Sequence, residues 1–124
     1  MVLAEPIRTN LILANMGGFK KGCLLDDKHI DETCENNVQK LRIKTPTIHE
    51  VTGQLSGGNQ QKVVIGKWLN TQARIFIFDE PTRGIDVGAK IEVYHIMNEL
   101  AAQGKCVIMI SSELPEILGL SDRF

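Results

Sequence analysis

The chain has 124 residues, 43% of them hydrophobic and 23% charged, with a formal net charge of −1. That length suits one domain or part of one with a modest core. No run approaches the ~18 apolar residues of a membrane span, no signal-peptide pattern opens the chain, and the basic pair Lys20 and Lys21 is too short for a nucleic-acid tract.

In chain order, a short helix is expected near residues 6–15, with Pro6 at or near its first position and Gly17 and Gly18 ending it. Asp26 and Asp27 then cap a helix running to about Ile43, with Ile30, Cys34, Val38 and Leu41 on one face. Pro46 disfavours helical geometry at Thr45 and breaks the pattern.

The second half reads as α/β. Ser56 is a helix N-cap, and a helix follows over about 58–71. Its buried stripe pairs Val64 with Trp68 and Ile65 with Leu69, which makes Trp68 a core residue. The run Ile75, Phe76, Ile77, Phe78 has the pattern of a strand buried on both faces. A helix over about 87–103 turns Ile91, Tyr94, Met97 and Leu100 inward, and Gly104 stops it. A second apolar strand covers 106–110, with Cys106 a buried small hydrophobe, and a short helix follows near 114–118. Strand, helix, strand at this spacing predicts a right-handed crossover between parallel strands. Two strands make too little sheet to be covered, so both ends are expected to be cut.

Three segments carry chemistry. The first is Leu55, Ser56, Gly57, Gly58, Asn59. A helix start leaves several N–H groups unpaired at its positive end, two glycines let an anion approach, and Ser56 adds a hydroxyl. This suits a terminal phosphate; the plainer reading is a capped helix with a flexible entry.

The second segment is Asp79 and Glu80, at the carboxyl end of a strand, where open α/β sheets bind ligands. One carboxylate can hold Mg²⁺ through water and the other can orient or deprotonate an attacking water. Two acids in a polar turn are the alternative. The third is Ser111 and Ser112, which either sense a phosphate or cap the next helix. His29, His49 and His95 share no metal-like spacing, and Cys23, Cys34 and Cys106 share neither a metal nor a redox spacing.

These segments, in this order, resemble the nucleotide-binding domains of the ATP-binding-cassette superfamily. LSGGNQQKV (55–63) resembles the signature motif, IFIFDEP (75–81) Walker B, TRGID (82–86) the D-loop, and VIMISSE (107–113) the switch strand. The wording TRGIDVGAK and ISSELPEILGLSDR is similar to the C-terminal cassette of fused two-cassette ATPases of monosaccharide importers. KTP (44–46) and GCLLDD (22–27) lean toward the galactose/methyl galactoside type, with ribose and xylose relatives close.

The resemblance implies a partial P-loop ATPase fold of class α/β. Residues 1–54 would belong to the helical subdomain that meets the permease, and 55–124 to the signature helix and part of the catalytic core. Ser56, Gly57, Gly58 and Asn59 would meet the γ-phosphate of ATP held by a second cassette. Asp79 would support Mg²⁺, Glu80 would be the catalytic carboxylate, and Asp86 would lie at the cassette interface. Ser112 stands where the family has a switch histidine, which implies a weak or inactive site on this half.

Implied partners are the second cassette, membrane permease subunits and, indirectly, a sugar-binding protein, with no nucleic acid. The implied location is the cytoplasmic face of the membrane. No G-x-x-x-x-G-K-[ST] loop occurs in the chain, so the fragment alone is expected neither to bind ATP tightly nor to hydrolyse it. Two rivals stand beside this reading. One is a superfamily ATPase acting on DNA or ribosomes, which would carry an acidic or bulky residue at Asn59 and basic or coiled-coil insertions. The other is a non-catalytic interaction module.

Overall fold

The computed structural model describes residues 1–123. Its contacts divide it into two compact units, Met1–Gln72 and the remainder from Ala73. The helix that begins at Gly57 therefore packs with the residues that precede it.

In the first unit, α1 (Ile7–Ile12) is followed by a 3₁₀ turn (Met16–Phe19), a hairpin of β1 (Lys20–Lys21) and β2 (Leu24–Leu25), α2 (Asp27–Lys40), a 3₁₀ turn (Thr52–Gln54) and α3 (Gly57–Leu69). Helix α1 is shorter than expected; the glycines expected to end it lie in the 3₁₀ turn instead. The hairpin loop is two residues, with Gly22 at φ +66° in the first central position, where a type II′ turn demands a positive φ.

Asp26 caps α2 as expected, accepting from the His29 N–H at 3.2 Å. The helix stops at Lys40 rather than near Ile43. Arg42 takes a left-handed φ of +51°, the Ile43 N–H bonds the Val38 carbonyl at 2.9 Å, and the Arg42 N–H bonds the Gln39 carbonyl at 3.1 Å. Those two bonds make a Schellman stop, which sequence reading missed because glycine does not occupy the turn.

The inner face of α2 is Ile30, Cys34 and Asn37, with Val38 only half-buried. Asn37 is tolerated because its Nδ2 donates to Asn70 Oδ1 at 2.6 Å. The Cys34 thiol is pushed up to about 11, mainly by burial.

Helix α3 buries Gly58, Asn59, Lys62, Val63, Ile65 and Gly66. The expected stripe was rotated: Val64 is half-buried and Trp68 is 50% exposed, with the Lys67 ammonium 4.9 Å from its ring centre. Packing explains the rotation. A Cβ on Gly66 would lie 2.7 Å from Leu11 Cδ2 and 2.9 Å from Leu41 Cδ1, so the glycine lets α1 and the end of α2 close on α3. Lys62 is buried along the same stripe, its Nζ donating to the Arg42 carbonyl at 2.9 Å.

In the second unit, β3 (Ile75–Asp79), α4 (Val87–Ala102), β4 (Cys106–Ile110) and α5 (Leu114–Leu120) follow in order. The strands are parallel, with Ile75 opposite Cys106 and Asp79 opposite Ile110. The parallel pairing expected from the apolar runs is present. Gly104, at φ +78°, ends α4 as expected.

Burial on both faces is not observed. Phe76 and Phe78 are buried, whereas Ile75, Ile77, Ile108 and Ile110 are 61%, 67%, 45% and 50% exposed. Cys106, expected to be buried, is exposed on the same open face. Helix α4 buries Val93, Ile96, Met97 and Leu100. Ile91, expected inward, is 49% exposed, and Tyr94 is half-buried.

Candidate functional site

The first cluster lies at the start of α3. Ser56 holds the N-cap position, but its side chain caps no helix N–H. The first intrahelical bond runs from the Gln60 N–H to the Ser56 carbonyl at 2.9 Å. The N–H groups of Gly57, Gly58 and Asn59 precede it and have no carbonyl one turn back to bond. Ser56 and Gly57 are exposed; Gly58 and Asn59 are buried.

Several bonds hold this entry. Leu55 is buried, and its N–H reaches the Thr52 carbonyl at 3.2 Å. Gln60 Nε2 donates to the Leu55 carbonyl at 2.9 Å. Asn59 Nδ2 donates to Ser56 Oγ at 2.9 Å, and Asn59 Oδ1 accepts from the Lys44 N–H at 2.9 Å.

Upstream, the Thr52 N–H bonds the Glu5 carbonyl, and Asn10 Nδ2 reaches Thr52 Oγ1 at 2.9 Å. The loop that enters α3 is thus tied by hydrogen bonds to α1 and to the chain before it. The Asn59 side chain, expected to meet the phosphate, bonds Ser56 Oγ and the Lys44 N–H with one of its two amide protons and its oxygen.

The second cluster lies where β3 and β4 end. Asp79 closes β3 with its side chain exposed on the open sheet face. Mg²⁺ keeps several waters and takes one or two carboxylates beside phosphate oxygens, so a lone exposed carboxylate fits it through water.

Glu80 takes φ +46°, an uncommon conformation for a residue with a side chain. Its N–H bonds the Ile110 carbonyl at 2.9 Å, and its carbonyl accepts from the Arg83 N–H at 3.2 Å. These bonds extend the ladder by one residue and then turn the chain. Ser112 Oγ donates to Glu80 Oε2 at 3.2 Å. The structure therefore brings the side chains of Glu80 and Ser112 together. Asp86 caps α4 and accepts from the Ala89 N–H at 3.0 Å.

Neither serine caps α5, whose N-cap position is Glu113. Ser111 instead accepts from the Glu113 N–H at 3.0 Å and donates to Glu116 Oε2 at 2.7 Å. Glu116 is the group that sequence reading missed. It is buried, and it also accepts from Thr82 Oγ1 at 2.7 Å, Tyr94 OH at 2.5 Å and Lys90 Nζ at 3.4 Å.

Burial raises the Glu116 pKa, but the bonds from Tyr94, Ser111, Thr82 and Lys90 outweigh it and hold the carboxyl at about 2. Glu116 thus clamps the turn after β3, the middle of α4 and the loop after β4. One turn of α5 separates it from Ser112, and no spacing rule marks it.

An ABC transporter family profile matches residues 4–83. The chain is 52% identical over 123 residues to a xylose import ATP-binding protein of Thermoanaerobacter pseudethanolicus, covering 99% of this chain and 24% of that protein. It is 57% identical over 124 residues to a ribose/galactose/methyl galactoside import ATP-binding protein of Agrobacterium fabrum, covering 99% and 25%. A ribose import ATP-binding protein of Hahella chejuensis is 51% identical with the same coverage.

Among solved structures, a nucleotide-free ATP-binding cassette from an ABC transporter superposes with a TM-score of 0.78 at 23% identity, covering 97% of this chain and 51% of that one. A metal-chelate type ABC transporter in an inward-facing conformation gives 0.79 at 15% identity, covering 98% and 49%. The chain belongs to the ABC transporter ATPase family. It spans about a quarter of the length of the curated relatives it matches and about half of the solved cassettes. Among the described residues, no helix is long and apolar enough to cross a membrane.

Proposed function

We propose that the chain acts as part of the ATPase subunit of a monosaccharide importer, at the cytoplasmic face of the membrane. There it would couple ATP binding and hydrolysis to the movement of a permease supplied by a sugar-binding protein. The observation that carries this reading is the hydrogen-bonded start of α3. An exposed serine hydroxyl and the first-turn amides that precede the first intrahelical bond stand at the positive end of a helix, a combination suited to a terminal phosphate.

In this reading Ser56, Gly57 and the amide of Gly58 receive the γ-phosphate of ATP held by a second cassette. Asp79 would hold Mg²⁺ through water; the ion, when bound, neutralises charge on the phosphates. Glu80 is the carboxylate aimed at the attacking water, and Asp86 belongs to the cassette interface. With Ser112 in the switch position, the hydroxyl bonded to Glu80 lacks the tunable charge of an imidazole, so this half's own site turns over weakly.

The KTP and GCLLDD stretches favour galactose or methyl galactoside. Relatives named for xylose and ribose match at nearly the same identity, so the support is for the monosaccharide class. By itself the chain would neither bind Mg-ATP tightly nor hydrolyse it; micromolar affinity in a calorimetric titration would contradict that.

The test of function uses the Agrobacterium fabrum relative with this segment set in place of its matching residues, reconstituted with its permease. Ser56→Arg puts bulk and charge where the phosphate must sit. Turnover should fall at least about tenfold, the scale of losing a preorganised donor. Unchanged turnover would overturn the reading.

A further inference from the structure

Two bonds fix the side chain of Asn59. The Lys44 backbone N–H can only donate, so the atom it meets at 2.9 Å must be the amide oxygen. The NH₂ end then faces Ser56 Oγ, also at 2.9 Å. An NH₂ group can only donate as well, so Ser56 Oγ receives that bond on a lone pair. A hydroxyl carries one proton and two lone pairs. With one lone pair taken by Asn59, the proton must point elsewhere.

No helix N–H is capped by this side chain, and among the described residues Ser56 Oγ accepts from Asn59 and donates to no side chain or carbonyl. Asn59 is 9% exposed, so solvent does not compete for its amide. The backbone at Lys44 thus sets the amide, and the amide sets the hydroxyl.

We propose that Asn59 is a positioning residue for the Ser56 hydroxyl: by donating to Oγ, it turns the single proton of Ser56 outward as a donor to a phosphate oxygen. This rests on the reading of Ser56 as a phosphate donor given above. It assigns the side chain of Asn59 no contact with nucleotide. It also explains why an amide suits this position, because a carboxylate there would accept the serine proton for itself.

The experiment uses the same chimeric ATPase, reconstituted with its permease. Turnover with Mg-ATP is measured for Ser56→Ala, Asn59→Ala, Asn59→Asp and the two double variants, each checked for an unaltered thermal midpoint. Ser56→Ala should lower kcat about tenfold. Asn59→Ala should lower it three- to tenfold where Ser56 is intact and add nothing in the Ser56→Ala background.

Asn59→Asp keeps the side-chain volume and the acceptor for the Lys44 N–H, so it remains informative if the alanine variant misfolds. Its loss should match that of Ser56→Ala and likewise vanish in that background. Equal losses in both backgrounds, from general disturbance or charge repulsion, would overturn the positioning role, as would full activity in Asn59→Asp. A silent Ser56→Ala would instead sink the phosphate reading of Ser56, and the positioning role with it.

Discussion

Ser112 reaches across the ends of two parallel strands to bond the Glu80 carboxylate at 3.2 Å. Glu80 meets it from a left-handed backbone conformation, with its N–H on the Ile110 carbonyl and its own carbonyl closing the following turn. The proposed catalytic carboxylate is therefore fixed by its backbone and engaged by a neutral partner. Glu80→Gln in the chimeric ATPase should lower turnover less than Ser56→Arg does. Single-turnover rates of the two variants compare them directly; a larger loss for Glu80→Gln would place the working site on this half.

Glu116 links acid stability to the second unit. Its carboxyl sits at about 2 in the fold, against roughly 4.3 in an unfolded chain. A depressed pKa means the fold favours the charged form, so its contribution is complete above about pH 4.3 and is lost as pH falls toward 2. Urea denaturation between pH 5 and 2.5 should show falling stability of the second unit, with a flatter slope for Glu116→Gln. Glu116→Ala leaves the Thr82, Tyr94 and Ser111 hydroxyls without their acceptor. It should destabilise by about 2–4 kcal/mol at pH 7, the scale of breaking a buried hydrogen-bond network.

Two glycines should respond with opposite sign to alanine. Helix α3 closes on Leu11 and Leu41 at Gly66, where an added Cβ would meet their methyl groups below 3.0 Å. Overpacking of about 1–3 kcal/mol should exceed the gain of up to about 1 kcal/mol from helix propensity, leaving Gly66→Ala destabilised. Gly119 in α5 has nothing within 4 Å of an added Cβ, so Gly119→Ala should stabilise by a few tenths of a kcal/mol. Chemical denaturation of the two variants checks the signs.

The open sheet face should govern solution behaviour. Ile75, Ile77, Ile108 and Ile110 form an apolar patch beside strand edges that pair with no other described strand, a combination that promotes association. The 124-residue chain should elute above its monomer mass in size-exclusion chromatography with light scattering. Ile77→Thr combined with Ile108→Thr should reduce that association, with little change in the denaturation midpoint.

The order of elements, the parallel pairing of two apolar strands, the Asp26 cap, the Gly104 stop and the placement of Ser56, Asp79, Glu80 and Ser112 at element ends were all legible in the residues alone. Those features depend on neighbours a few residues apart, where side-chain type and backbone geometry are directly linked. Which face each element buries was set instead by packing between elements. Gly66, Lys62 and Asn59 read as polar or neutral in the chain, yet they face inward because α1 and the Arg42 turn meet them there. Trp68 and Ile77 read as core and lie at the surface because no described element covers them. Tertiary structure also chose between the uses of polar side chains. Asn59 bonds Lys44, fifteen residues back, and Glu116 bonds Thr82, thirty-four residues back. Hydrogen-bond partners so distant in sequence are set by packing, and no local pattern encodes them.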